Sequence, residues 1–278
     1  MKVTILGAGR MGSGMAARLA ETGHEVTVWD RNPGQAAGLV DLGVTVADGV
    51  AAAADDAGVV ITMVTNGEAV KAVAEPMLAA MPAGAIWVQA STVGAEWADT
   101  LRTLADANGQ PMVDAPVSGS TEPARTGKLS WLVSGPPDAV EIARPVLDAL
   151  GERVLVVGLR QEASRLKLVV NTWMTAVTVA MADALAAADR LGIPPQSLLD
   201  VIGDGPLAMP YALQKARLMT NHDYPPGFPV ELALKDIRLA EQAEGRQPPL
   251  IRAVEERLQR AVAAGHGRDD LAAVAAVD

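Results

Sequence analysis

The chain has 278 residues, half of them apolar, and a formal net charge of -10. That length supports one large domain or two unequal ones around a substantial buried core, and the acidic balance argues against a partner held by phosphate attraction, so nucleic acid is not expected. There is no cysteine, which excludes disulfides, thiolate nucleophiles and Cys-ligated zinc and fits a reducing, cytoplasmic compartment.

The first six residues carry one lysine and a short apolar run, too little for a signal-peptide core, and read as a strand over residues 3–6. From there to about residue 158, short β-branched runs alternate with alanine-rich helical stretches, the pattern of a parallel sheet covered by helices. Strands are predicted over residues 3–6, 25–29, 58–64, 85–89, 111–114, 129–133 and 153–157, with helices such as 11–21 and 95–107 between them. Past residue 158 the strand-like runs vanish. A helix over about 163–191 would span roughly 40 Å at ~1.5 Å per residue, long enough to leave one domain and form the backbone of another. Its apolar tract, residues 168–182, is broken by Asn171 and three threonines and stops short of the ~20 residues of a membrane span, so no membrane partner is expected. Proline and glycine breaks at 194–195, 203–206, 225–229 and 248–249 divide the remainder into five or six helices. The predicted fold is α/β: an N-terminal Rossmann-type parallel-sheet domain, residues 1–160, then an all-α domain, residues 161–278, joined by a long interdomain helix.

Gly7-Ala8-Gly9-Arg10-Met11-Gly12 follows the first predicted strand and opens a helix, the context that gives a G-x-G-x-x-G match its meaning. Gly7 permits the tight turn, Gly9 lets backbone approach a pyrophosphate, and Gly12 lets helix pack on strand, with the helix N-terminus facing the negative charge. Asp30 stands eighteen residues after Gly12, where a carboxylate can bind the adenosine ribose hydroxyls and so favour NAD. Arg31, next to it, could pair with a ribose 2′-phosphate and favour NADP. The two neighbours pull in opposite directions, and the expected cofactor is NAD or NADP. His24, His222 and His266 lie far apart with no metal-ligand spacing, and no metal is expected.

Three further segments are Asp114-Ala115-Pro116-Val117-Ser118-Gly119, Lys167 with Asn171, and Lys235-Asp236-Ile237-Arg238-Leu239-Ala240. Lys167 and Asn171 are four apart on the long helix, so they share one face. Ser118 and Gly119 follow a predicted strand, where a hydroxyl and backbone N–H groups can cradle a carboxylate. Together with residues 7–16 and the strand-loop at 61–66, these segments resemble the β-hydroxyacid dehydrogenases. That family is related to 6-phosphogluconate dehydrogenase and includes hydroxyisobutyrate, tartronate semialdehyde and glyoxylate/succinic semialdehyde enzymes.

The resemblance implies a hydride transfer between NAD(P)H and a small β-hydroxy acid or semialdehyde, with Lys167 giving the carbonyl oxygen its proton. That role asks for a lysine pKa below the ordinary ~10.4, which desolvation at a domain cleft or a positive nicotinamide would supply. Asn171 would orient the lysine or donate to the reacting oxygen. The substrate's acid group would meet Ser118, Gly119 and Ser120. The loop Val64-Thr65-Asn66, together with Ser91 and Thr92, would meet the nicotinamide and its ribose, and Lys235 would approach the cofactor or substrate. Relatives pair through the long helix, so a homodimer or homotetramer is expected. The chain also departs from the family pattern: Ser120 replaces a second glycine, Gln161-Glu162-Ala163-Ser164 replaces glycines before the lysine, and Val170 replaces the first of two asparagines. Two rival readings share the architecture. Imine reductases generally carry aspartate or tyrosine in place of the lysine, and a non-catalytic nucleotide-binding module would have lost the lysine or serine. Lys167 and Ser118 speak against both.

Overall fold

Strand β1 (Lys2–Leu6) runs through the middle of the first unit, with Val3, Ile5 and Leu6 wholly buried, as a parallel strand covered on both faces requires. The computed structural model describes residues 1–277 and divides them into two units, Met1–Lys167 and a second that begins at Leu168. In the first unit, helix α1 (Arg10–Glu21) leads to β2 (Glu25–Trp29), then come β3 (Thr45–Val46), α2 (Val50–Ala54), β4 (Val59–Thr62), α3 (Gly67–Ala80), β5 (Ile86–Gln89), α4 (Ala95–Ala107) and β6 (Met112–Asp114). These six strands are parallel, in the order β3-β2-β1-β4-β5-β6.

The register places the ends of the strands level. Leu6 lies opposite Trp29 and Thr62, Thr62 opposite Gln89, and Gln89 opposite Asp114. The loops that begin at Gly7, Asp30, Met63, Ala90 and Ala115 therefore all leave from one edge, the edge where open α/β sheets bind ligands.

Beyond β6 the parallel-dominated sheet adds antiparallel pairings. β7 (Val117–Ser118), α5 (Thr121–Thr126) and β8 (Leu129–Ser134) follow, and β8 runs antiparallel to both β6 and β7. The connection between β7 and β8 is residues 119–128, too short for the crossover that a parallel neighbour demands. After α6 (Pro137–Leu150), the edge strand β9 (Gly151–Gly158) pairs in parallel with β8.

Helix α7 (Glu162–Arg190) starts in the first unit and continues into the second. By length and composition it could cross a membrane, yet Leu168, Val179, Met181, Ala182 and Leu185 are buried within the protein and so are Asn171, Thr175 and Thr178. The second unit continues with α8 (Pro195–Ile202), α9 (Pro210–Asn221), α10 (Val230–Glu244) and α11 (Pro249–Ala261). Proline opens α8, α9 and α11, where its missing N–H costs nothing. Val179, Leu185, Met219, Ile237, Leu258 and Leu271 share the core. The closing segment is fastened by a buried ion pair, Lys215 Nζ to Asp270 Oδ1 at 2.6 Å.

Candidate functional site

The loop after β1 is built by its glycines. Gly7 has φ +110°, and a side chain there would meet the Met63 carbonyl at 2.3 Å. A Cβ on Gly12 would lie 1.8 Å from the Gly7 oxygen. Around Gly9 nothing lies within 4 Å of the place a Cβ would take, so that side of the loop is open. Gly9 precedes α1, which has no side-chain cap and no acidic residue in its first turn. Its amides thus keep the positive field of a helix N-terminus for an anion. Arg10 and Met11 begin the helix, with Met11 packed against the core.

Asp30 is held where the motif places it. Its Oδ2 accepts from Ala8 N and its Oδ1 from Asn32 N, both at 2.8 Å. The carboxylate is fixed beside the glycine loop with lone pairs to spare for hydroxyl donors, and Arg31 beside it is exposed. An open face at Gly9, an uncapped helix start and a fixed carboxylate fit a dinucleotide.

The neighbouring loops show a division of labour that is not legible in the sequence. The Val64 N–H is occupied by Ser91 Oγ at 2.9 Å, and the same hydroxyl donates to Thr62 O. Buried Ser91 therefore ties the ends of β4 and β5 together. Asn66 caps α3, its Oδ1 accepting from Ala69 N at 2.8 Å. Thr65 is exposed and Thr92 half-buried at the same edge.

Ser118 ends β7, and Gly119 follows with φ +134°, where a Cβ would strike Leu129 Cδ2 at 2.8 Å. Ser120 precedes α5, and its side chain makes no capping bond. Its hydroxyl is therefore not spent on the local backbone.

Lys167 lies in the first unit and is buried. The turn of α7 before it is bonded to the sheet: Ser164 N donates to Asp114 Oδ2 at 2.8 Å, Ser164 Oγ donates to Asp114 Oδ1 at 2.6 Å, and Ala163 N donates to Ser134 Oγ at 3.1 Å. Burial pushes the Asp114 carboxyl up to about 6, and the bonds from Ser164 and Ser134 oppose that rise.

In the second unit, Asn171 Nδ2 donates to Asp236 Oδ2 at 2.5 Å, leaving its Oδ1 buried without a hydrogen-bond partner. One N–H of the amide is thus engaged by Asp236, and the carbonyl is left as an acceptor. Lys235 Nζ approaches Asp236 Oδ1 at 3.1 Å. Asp236, only 2% exposed, stands in the Lys235 motif, but its hold on Asn171 spans 65 residues of sequence.

Residues 2–158 match the model of the NAD binding domain of 6-phosphogluconate dehydrogenase. Residues 162–277 match that of the NAD-binding domain of NADP-dependent 3-hydroxyisobutyrate dehydrogenase. The chain is 32% identical to 3-hydroxyisobutyrate dehydrogenase of Pseudomonas aeruginosa, over 86% of this chain and 83% of that one. It is 31% identical to glyoxylate/succinic semialdehyde reductase 1 of Arabidopsis thaliana (99% and 97%) and 31% identical to 3-sulfolactaldehyde reductase of Escherichia coli (98% and 94%). The structure of Mycobacterium tuberculosis 3-hydroxyisobutyrate dehydrogenase, solved with L-serine, superposes with a TM-score of 0.91 at 30% identity, covering 99% and 98% of the two chains. A reductive aminase from Aspergillus terreus, solved with NADPH and ethyl levulinate, gives a TM-score of 0.67 at 25% identity, covering 98% and 97%.

Proposed function

The chain belongs to the β-hydroxyacid dehydrogenase family and is an NAD(P)-dependent oxidoreductase; from that premise we propose that it interconverts a small carbonyl acid and its hydroxy acid, with Lys167 moving the proton. A dinucleotide held by the glycine loop and Asp30 would supply or accept the hydride through its nicotinamide. What carries the reading is one arrangement within the first unit: a buried Lys167 on the helix fastened to the end of β6, at the sheet edge where β1 leads into the glycine loop and β2 into the Asp30 carboxylate.

In this reading Ser118 and the backbone at Gly119 and Ser120 receive the substrate's acid group, and Lys167 Nζ faces its carbonyl oxygen. Reduction places negative charge on that oxygen, and a proton delivered there as the charge develops lowers the barrier. Asn171 is held by Asp236 in the second unit, with its carbonyl left as an acceptor. The hydroxyl of Ser120, in place of glycine, adds a donor beside the acid group and so favours an acid with more acceptor oxygens or a shorter chain.

The test is oxidation of NADPH and NADH, followed by absorbance, against small semialdehydes, keto acids, their phosphonate analogues and cyclic imines. Turnover on carbonyl acids is expected. Turnover confined to imines would overturn the reading in favour of an imine reductase, and none at all despite tight cofactor binding would favour a nucleotide-binding module.

Cofactor choice rests on Asp30 and Arg31. Asp30→Ala should weaken NADH about tenfold and NADPH less, because a charged hydrogen bond to the ribose hydroxyls is worth about 1.5 kcal/mol or more. Arg31→Ala should do the reverse. Dissociation constants of both cofactors for both variants decide it, and equal effects on the two would refute the discrimination.

A homodimer or homotetramer is proposed in addition. Val169 and Trp173, four apart on α7, and Leu191, Val201 and Leu207 are exposed apolar side chains, and a second copy would cover them. Light scattering reads the mass directly, and a monomer at micromolar concentration would rule assembly out.

A further inference from the structure

We propose that Asp114 is a positioning residue for the reaction: by holding both the amide and the hydroxyl of Ser164 it fixes the start of α7, and with it Lys167. This rests on the proton-transfer role of Lys167 given above.

The first amides of any helix lack partners within the helix. Most helices satisfy them from residues just upstream. Here the acceptors come from the sheet, Ser134 for Ala163 N and Asp114 for Ser164 N, while Ser134 Oγ itself donates to Arg160 O. The hydroxyl of Ser164 adds a second bond to the same carboxylate. A slide or rotation of the helix start would break these bonds inside a buried setting, where an unpaired polar group is costly.

The flank toward α4 is tied as well. Arg165 reaches Asp99 at 2.8 and 3.0 Å. Buried Gln161, with its amide turned to satisfy both neighbours, donates to Asp99 Oδ1 at 3.2 Å and accepts from Arg102 Nε at 2.8 Å. Gln161, Ala163 and Ser164 belong to the stretch in which this chain replaces glycines of the family pattern. Lys167 follows Ser164 by three residues, about 4.5 Å along the helix axis, so its backbone moves with this polar clasp.

The clasp depends on charge. Each bond to Asp114 comes from a donor, and protonation turns one carboxylate oxygen into a donor itself, so the charge-assisted bond from the Ser164 hydroxyl must reverse into a weaker neutral one or be lost. The charged groups around it are Arg102 from α4, which favours the anion, with Arg160 and Glu162 before and at the start of α7 and Asp106 on α4 grouped about Arg102. With burial raising the carboxyl to about 6, the clasp holds its charge-assisted bonds above that pH and weakens below it. Folding stability runs the other way. A carboxyl with a raised folded-state pKa contributes stability that is present below its unfolded pKa and lost as the pH rises through the folded value. On acidification kcat should fall while this group's share of stability grows, an opposition that a purely structural residue would not produce.

The test compares the wild-type enzyme with Asp114→Asn. Asparagine accepts at one oxygen only and imitates the protonated state at every pH. Expected at pH 7.5 is a kcat reduced about 10–100-fold, the cost of a catalytic group displaced by a fraction of an ångström to an ångström, with cofactor dissociation constants within about twofold of wild type and faster amide exchange in residues 163–167 after correction for intrinsic rates. Wild-type kcat should fall below about pH 6, and that limb should be missing from Asp114→Asn. Wild-type kcat in the variant, an acid limb that survives in it, or unchanged exchange overturns the proposal. If Asp114→Asn does not fold, Ser164→Ala carries the same test, with faster exchange, reduced kcat and the acid limb retained as the supporting result and wild-type behaviour as the opposing one. Turnover that persists in Lys167→Ala would instead overturn the proton-transfer reading; it is told apart because the exchange measurement does not depend on that lysine.

Discussion

Replacing Lys167 with alanine is expected to lower kcat by about 10²–10⁴-fold, the usual worth of a positioned general acid, while NADH and NADPH dissociation constants stay within about twofold. The side chain is buried on α7, whereas the groups that fit the dinucleotide are the glycine loop and Asp30, so chemistry and cofactor binding separate cleanly in this variant. Lys167→Arg sharpens the result. A guanidinium keeps the positive charge but does not release its proton near neutral pH, so an inactive arginine variant marks proton transfer and a largely active one marks charge stabilisation. Wild-type turnover in Lys167→Ala would remove the residue from the mechanism altogether.

Regular elements were legible wherever periodicity had room to show itself. Helix 95–107 matches α4 residue for residue, and the strand at 25–29 matches β2. β3 and β7, two residues each, are too short to carry an alternation. The strand expected over 58–64 ends at Thr62, since Val64 spends its N–H on the Ser91 hydroxyl rather than on the ladder. At the site, the glycines, Asp30 and Lys167 stand out because local spacing defines them. Asp114 and Asp236 show only as members of motifs. Their functions lie in partners 50 and 65 residues away, Ser164 and Asn171, and pairings at that separation leave no periodic trace. The segment Gln161 to Ser164 could be seen to depart from the family pattern, but the carboxylate and guanidinium its side chains bind become visible only once α4 and β6 are placed around it.

Two glycines of one motif should fail in opposite ways. Gly9→Val is expected to leave the fold intact and to raise the dissociation constants of NADH and NADPH together by about 100-fold, roughly 2.7 kcal/mol. Gly9 has φ -66° and ψ -176°, a conformation any residue adopts, and nothing lies within 4 Å of a Cβ built on it. The new Cβ therefore has open space around it, and the side chain occupies the space that a pyrophosphate needs to approach the α1 amides. Gly12→Ala, a smaller change, places its methyl 1.8 Å from the Gly7 oxygen, a backbone atom, and Gly7 is tied to the sheet by its N–H to Trp29 O at 2.8 Å. The loop or the strand must move, at a cost of about 3 kcal/mol or more. Thermal midpoints and cofactor titrations on the two variants separate these effects. Unchanged cofactor affinity in Gly9→Val would place the pyrophosphate elsewhere, and a Gly12→Ala protein as stable as wild type would show that the contact between loop and helix is looser than the geometry requires.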